Sequence, residues 1–472
     1  MASPSPIAEL SGFAILCSID FLWDRRVTQV SIEQQRQHLE QAVAVALEEA
    51  GKLGVTAAEV AISKQQGLSI STRQGEVETV EFNKDGALGI SLYRDGSKGN
   101  ASTSDLSPQA IVDAVRAADG IARYTSADEH NGLADASLMP TELRDLDLYH
   151  PHPMTPEQGI ELASRCEQAA LAEGGRIEQS DGASCNSHEG IKVYGNSHGF
   201  IGSYASSRHS LSCVLIGKDE QGMERDYDYT VSRRFDALDG PEALGKRAAA
   251  KVEARLGARK IDTCEVPVLF SAETATGLIG HLVGAISGAS LYRESSFLLN
   301  SLGTQILPEW LSIHENPHLL GGLSSAVFDG EGVATQARDI VADGVLQSYL
   351  LTAYSGRRLK MATTGHAGGI YNWDISSNGG DLAAMLKQMG TGLYVTELMG
   401  HGVNSVTGDY SRGAAGFWVE NGIIQYPVHE ITIAGNLKQM YKEMVAVGSD
   451  RDPRSSIGTG SILLSQMKVA GN

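Results

Sequence analysis

No run of about 18 apolar residues occurs in the 472-residue chain, so no segment is built to cross a bilayer as a helix. Cysteine is scarce: five residues, at 17, 166, 185, 213 and 264, lie far apart and none forms a C-x-x-C pair. That excludes a zinc ribbon and a disulfide framework, and fits reduced thiols in the cytoplasm. Positive charge is in deficit, with 38 Lys and Arg against 57 Asp and Glu and a formal charge of −19. A surface this acidic repels a phosphate backbone, which argues against nucleic acid as a general partner. Arg357, Arg358 and Lys360 are the nearest approach to a basic patch. Walker loops, a G-x-G-x-x-G turn after a strand and a G-x-S-x-G elbow are all missing, so neither a nucleotide site nor a serine nucleophile is supported. The apolar patch at 13–23 has no basic residue before it, while Arg25 and Arg26 follow. That is the wrong order for a secretory signal, and residues 1–30 read as an extension outside the fold proper.

Glycine is abundant, at 53 residues, against 6% aromatics, which favours turns and close backbone contacts over a purely helical build. The patterning predicts an α+β fold of two mixed domains. Residues 31–257 form a helix and antiparallel-sheet domain, and 258–472 a β-rich domain around one glycine-striped helix. In the first, Ser31 caps a helix ending near Gly51. Short strands follow at 57–64, 68–73, 76–83, 87–93 and 96–102, with hairpin turns at Asp85-Gly86 and Asp95-Gly96. Ser107 and Pro108 open the next helix, and the proline-bearing segment 126–156 is a surface connection. Thr155-Pro156 starts a further helix, strands run to 232, and a helix covers 241–257. In the second domain, 292–303 reads as partly helical and Asn421-Gly422 as the turn of a hairpin. No short repeat period is visible.

The stretch 271–288, SAETATGLIGHLVGAISG, organises the second domain. Leu278, Ile279, Leu282, Val283 and Ile286 fall on one helical face. Gly277, Gly280, Gly284 and Gly288 interrupt the helix, each at a cost of about 1 kcal/mol against alanine. Gly280, Gly284 and Gly288 recur at four-residue steps and make a smooth stripe where another backbone can approach, with His281 beside it.

Other histidines invite a metal reading less well. His314 to His318 spell H-E-x-x-H, which in a zinc peptidase needs both histidines one turn apart on a continuous helix. Pro317 breaks that helix, and the segment reads as a loop. His366 and His401 are flanked by glycines, which suits ligands, substrate contacts or plain turn residues. His429 and Glu430 are adjacent in a strand-like run and point to opposite faces. Asp409, Ser411 and Arg412 sit before the hairpin, where they could bind a peptide backbone or serve a turn.

The segments GLIGHLVGAISG, LYRESSFLLNSLG, TTGHAGGIYNW, MGTGLYVTELMGHGVNSVTGDYSRGAAGFWVENG and YPVHEITIAGNLKQM together resemble the PmbA/TldE branch of the TldD/PmbA family. The resemblance covers roughly residues 31–472 and is most specific in the C-terminal part. It implies a two-domain α+β architecture and a cytosolic heterodimer of one TldD-type and one TldE-type subunit acting on unfolded or extended peptides. The family is described both as a proposed modulator of DNA gyrase and as a protease that matures a microcin peptide. In the TldD branch the corresponding helix carries H-E-x-x-x-H, which binds zinc and supplies the base, with a further ligand from the C-terminal domain. Here the same six positions hold His281, Leu282, Val283, Gly284, Ala285 and Ile286, and no cysteine follows Cys264. A catalytic zinc needs about three protein ligands and a base. The resemblance therefore implies zinc in the TldD-type partner and none in this chain, which would complete the substrate chamber. Gly280, His281, Gly284, Gly288, His366, His401 and Arg412 are the candidates to face that chamber or the partner. Two other readings stay open: a regulatory protein acting on gyrase or a toxin–antitoxin system without proteolysis, and an autonomous zinc peptidase using His314 and His318. A homodimer of the isolated chain also stays open.

Overall fold

The computed structural model describes residues 31–471, so the extension assigned to 1–30 lies outside the described residues. The N-terminal part runs α1 (Ile32–Lys52), β1 (Ala57–Arg73), β2 (Glu76–Arg94), β3 (Ser97–Thr103) and α2 (Pro108–Ala122). It continues with α3 (Pro156–Ala172), β4 (Ile177–Asn196), β5 (Ile201–Lys218), β6 (Met223–Ser232) and α4 (Pro241–Arg255). Helix, three strands and helix thus occur twice. The six strands join one antiparallel sheet in the order β3-β2-β1-β4-β5-β6, so the two runs meet at the β1–β4 pair. α1 and α2 pack Leu39, Val43, Ile111 and Val115 on one half of the sheet. α3 and α4 pack Ala163, Cys166, Leu244 and Val252 on the other. The duplication is structural, which is why a short sequence period misses it.

The long strands correct the shorter runs expected from the patterning. Asp85-Gly86 is not a hairpin turn. It lies inside β2, paired with Gln65 and Lys64 of β1. The β1–β2 turn is at Gln74-Gly75 instead, where both residues take positive φ (53° and 81°) as a two-residue hairpin loop requires. Continuous cross-strand pairing over all of β1 overrides the local turn preference of the dipeptide.

The remaining chain supplies β7 (Cys264–Phe270), α5 (Ala272–Ala285), α6 (Gly288–Tyr292), β8 (Ile313–Glu315), β9 (Arg338–Ala342), β10 (Val345–Leu346) and α7 (Ala353–Leu359). Then come β11 (Trp373–Ile375), α8 (Leu382–Met389), β12 (Gly392–Met399), β13 (Asp409–Glu420), β14 (Ile423–Asn436), α9 (Leu437–Lys442), β15 (Met444–Val447), β16 (Ile457–Gly458) and β17 (Ile462–Ala470). The helix expected within 292–303 is confined to α6, which ends at Tyr292. One sheet has the order β14-β13-β12-β7-β17-β15, and β14 also pairs with β17. Strands β7, β12, β13, β14 and β17 therefore close on one another, which removes their free edges. A small sheet, β10-β9-β8-β11-β16, lies beside them. The largest core joins α5, through Leu278, Ile279 and Leu282, to residues of both sheets such as Phe270, Ile313, Val395 and Ile433.

The two parts of the chain grip each other through aromatic and polar contacts. Phe328 meets Phe200 edge-on at 5.5 Å and Tyr204 at 5.7 Å. Arg357 donates to the carbonyls of His130, Gly132 and Leu133 at 2.6–3.0 Å, and Arg358 lies over the Tyr292 ring. The suspected basic patch is thus largely consumed by internal contacts. No helix among the described residues is long and apolar enough to cross a membrane.

Candidate functional site

Helix α5 begins where β7 ends. Ser271 caps it by accepting from the Thr274 N–H at 3.2 Å, and Ser271 N–H and Thr274 Oγ1 both donate to the Val395 carbonyl of β12. Glu273 in its first turn accepts from Tyr227 Oη at 2.5 Å and from Arg454 at 3.2 Å. Arg454 stacks over Tyr229 and also donates to Asp228 and Asp452, so the helix start is tied to β6. Farther along, Tyr441 Oη donates to the Leu278 carbonyl at 3.0 Å. Ala275, Leu278, Ile279, Leu282, Ala285 and Ile286 are buried. Burying this face fixes which side of the helix looks outward.

That outward side is made of glycine. Gly277 and Gly284 are exposed and Gly280 is half-buried. A Cβ added at any of the three would meet no atom within 4 Å. Of the stripe expected to admit a close backbone approach, only Gly288 is closely packed within the fold, where a Cβ would collide with Ser355 and Leu351. The other three leave open space over the helix.

His281 sits on the same side, half-buried. Its ring meets Tyr410 edge-on at 5.8 Å, and its Nε2 has no hydrogen-bond partner. Tyr410 and Arg412 are two residues apart on β13 and so point to one face. Tyr410 is 1% exposed beside the Arg412 guanidinium, and neither its hydroxyl nor Arg412 Nε has a partner at full hydrogen-bond geometry. Arg412 Nη2 reaches the Leu398 carbonyl at 3.4 Å. Burial, then the charge of Arg412, holds the His281 imidazole neutral at lower pH than usual. Burial pushes the Tyr410 phenol up to about 12, against the opposing pull of Arg412.

Arg412, Gly277 and Glu273 line a cavity of about 1700 Å³. β6 and α4 bound it on one side, and the α5 start, β12 and the 450–456 loop on the other. Its walls are rich in ion pairs. Asp228 is held by Arg247 at 2.7 Å and by Lys251 and Arg454 at 3.0 Å. His401 lies on an exposed loop whose Gly402 carbonyl accepts from Ser411 N–H at 2.7 Å, next to Arg412.

His366 lies elsewhere and is fully engaged. Its Nε2 donates to Glu315 at 2.8 Å and its Nδ1 is 2.8 Å from Thr364 Oγ1. Glu315, 0% exposed, also accepts from Tyr371 N–H and Trp373 Nε1–H at 2.9 Å. Next to it Asp329 accepts three backbone N–H groups while burial raises its carboxyl. His366 is therefore a buried structural residue bordering a small cavity of about 300 Å³ that Val283 and Gly288 share. The H-E-x-x-H run is no helix. His314 and Glu315 are in β8, His314 bonds Asp339, and His318 bonds Thr335. Sequence reasoning missed Tyr410 and the Glu315–His366 pair. The two-residue spacing of Tyr410 and Arg412 in a strand was a usable signal, whereas the Glu315–His366 contact spans 51 residues and left none.

The groups beside His281 do not fit a zinc ion. A zinc site takes about three thiolate, imidazole or carboxylate donors. His281 is flanked by a phenol and a guanidinium, whose fixed positive charge opposes a cation. Leu282 and Ile286 are both 0% exposed within the core. Among the described residues no cluster of three or more His, Cys, Asp and Glu side chains is arranged to hold a metal ion.

The chain with this duplicated α–βββ–α layer, closed β-rich unit and glycine-faced helix matches a metallopeptidase family along most of its length. Models of the PmbA/TldA metallopeptidases match domain 1 over residues 58–122, the central domain over 149–256 and the C-terminal domain over 263–471. The chain belongs to the PmbA/TldD metallopeptidase family. It is 58% identical to metalloprotease PmbA of Escherichia coli over 441 residues, 93% of this chain and 98% of that protein. It is likewise 58% identical to a PmbA homologue of Haemophilus influenzae, over 93% and 98% of the two chains. Among solved structures it superposes on a proposed modulator of DNA gyrase from Bacteroides thetaiotaomicron. The TM-score is 0.87 at 27% identity, covering 94% of this chain and 100% of that one. TldE from Thermococcus kodakarensis shares the fold, with a TM-score of 0.79 at 20% identity over 92% and 100%.

Proposed function

We infer that this chain is the TldE-type subunit of a cytosolic TldD/TldE metallopeptidase complex and itself carries no catalytic zinc. The TldD-type subunit supplies the metal and the base, and this chain completes the chamber that receives an extended peptide. One observation carries the reading. Where a zinc-bearing helix of the family places glutamate and a second histidine, this helix buries Leu282 and Ile286, and Arg412 stands beside the remaining His281. The open face of Gly277, Gly280 and Gly284 supports the second half of the reading, since it gives a peptide or partner backbone room to approach. In this reading residues 31–257 and 258–472 act as two domains, the cavity between them is the chamber wall, and His401 stands near its rim.

The test is reconstitution. This chain, a TldD-type subunit and their co-purified complex are each assayed on an unfolded peptide, with and without a chelator. The complex cleaves, chelation stops it, and this chain alone is inert. Cleavage by this chain alone would overturn the reading.

A further inference from the structure

We propose that His281, Tyr410 and Arg412 form a carboxylate-binding site of this chain, entered over the glycine face of α5. Three polar atoms in one corner lack partners: His281 Nε2, Tyr410 Oη and Arg412 Nε. Tyr410 is 1% exposed, so its hydroxyl has left water for a site whose one polar neighbour is the Arg412 guanidinium, with no partner at full hydrogen-bond geometry. Buried polar groups are nearly always satisfied, and an exception in a native fold calls for a missing partner. All three atoms can donate: a phenol O–H, a guanidinium N–H and, in one tautomer, an imidazole N–H. The partner they share must be an acceptor with several lone pairs, and the fixed charge of Arg412 selects an anion. A carboxylate meets both conditions, because its two oxygens accept up to four bonds and match the Arg fork. Access comes from the side where Gly277, Gly280 and Gly284 leave open space, and from the cavity that Arg412 lines. The whole chain is strongly acidic, at −19, so this corner is a local exception to a surface that repels anions.

The inference deepens the chamber reading by naming the feature recognised, a peptide carboxylate. Its test uses the full chain without a partner, so it succeeds or fails independently of zinc and of cleavage. The probes are Ala-Ala-Ala with a free C-terminus, its C-terminal amide, and acetyl-Ala-Glu-Ala-amide, which carries its carboxylate on a side chain. Binding is followed by isothermal titration calorimetry. A free acid preferred over the amide by about tenfold is expected from one charge-assisted pair. Binding of the glutamyl peptide in place of the free acid would assign the site to acidic side chains and equally support it. In Tyr410→Phe the preference falls about threefold or more, and in Arg412→Gln it disappears. Equal binding of acid and amide, no binding of any probe, or a preference that survives R412Q each overturns the proposal. Melting temperature gives a second readout. Y410F should lose little stability, because the hydroxyl gives up only its contact with the Arg412 guanidinium. A marked drop would show that the hydroxyl is already bonded in the folded chain and would also overturn it.

Discussion

His366 and His281 occupy corners of the same C-terminal region with opposite polar bookkeeping. At His366 every nitrogen is used, and its partner Glu315 accepts three hydrogen bonds at 2.8–2.9 Å. At His281 the imidazole, the phenol and the guanidinium each leave an atom unpaired. A satisfied buried network rigidifies a fold, while an unsatisfied one costs stability that some other interaction must recover. The difference teaches that the glycine-flanked His366 belongs to the scaffold. In the proposed reading, the histidine with the poorer local environment is the one that faces a ligand or partner.

The contrast can be broken most strongly at Glu315. Glu315→Ala strips the acceptor from His366, Tyr371 and Trp373 and should destabilise the chain by roughly 3–5 kcal/mol in urea unfolding. His281→Gln should leave stability within about 0.5 kcal/mol, because no bond is lost there. Equal costs at the two histidine sites would erase the distinction.

Glu331 is an intermediate case. It is largely withdrawn from water, accepts one bond from Ala353 N–H at 2.6 Å, and faces Asp329 and Glu59. Burial first, then those carboxylates, raises its carboxyl from 4.5 to about 7. The folded state therefore binds more protons than the unfolded one between those values. This group's contribution is fully present below pH 4.5 and is lost as pH rises through 7, by about 3 kcal/mol. Glu331→Gln should flatten that slope in unfolding measured from pH 5 to 8. An unchanged slope would assign the effect to other groups.

The glycine face gives the smallest effect on stability and the clearest separation from function. Gly280→Ala and Gly284→Ala meet no neighbouring atom, so each should stabilise the helix by about 0.5–1 kcal/mol. Peptide cleavage by the complex should nevertheless fall, because the methyl groups occupy the approach. A rise in both melting temperature and cleavage rate would mean that nothing docks on this face.

Much of the fold was legible because its signals are local. Ser31, Ser107 and Thr155 cap the helices they were expected to open, and Asn421-Gly422 makes its hairpin with φ of 52° and 75°. The length of β1, β2, β4 and β5 was not legible, since β1 is held by β4 more than 100 residues away and in turn sustains strand through Asp85-Gly86 of β2. The doubled α–βββ–α unit was hidden for the same reason. At the site, His281 and the exposed side of its helix follow from periodicity. Its juxtaposition with Tyr410 and Arg412 requires β13 to be brought across α5, which no local pattern encodes.

Zinc content measured on the isolated, full-length chain after purification in metal-replete medium tests the central claim most directly. Beside the guanidinium of Arg412 and without donors at positions 282 and 286, the chain should retain no more than trace zinc, and His281→Ala should change nothing. Stoichiometric zinc that is lost in the His281→Ala chain would contradict the account.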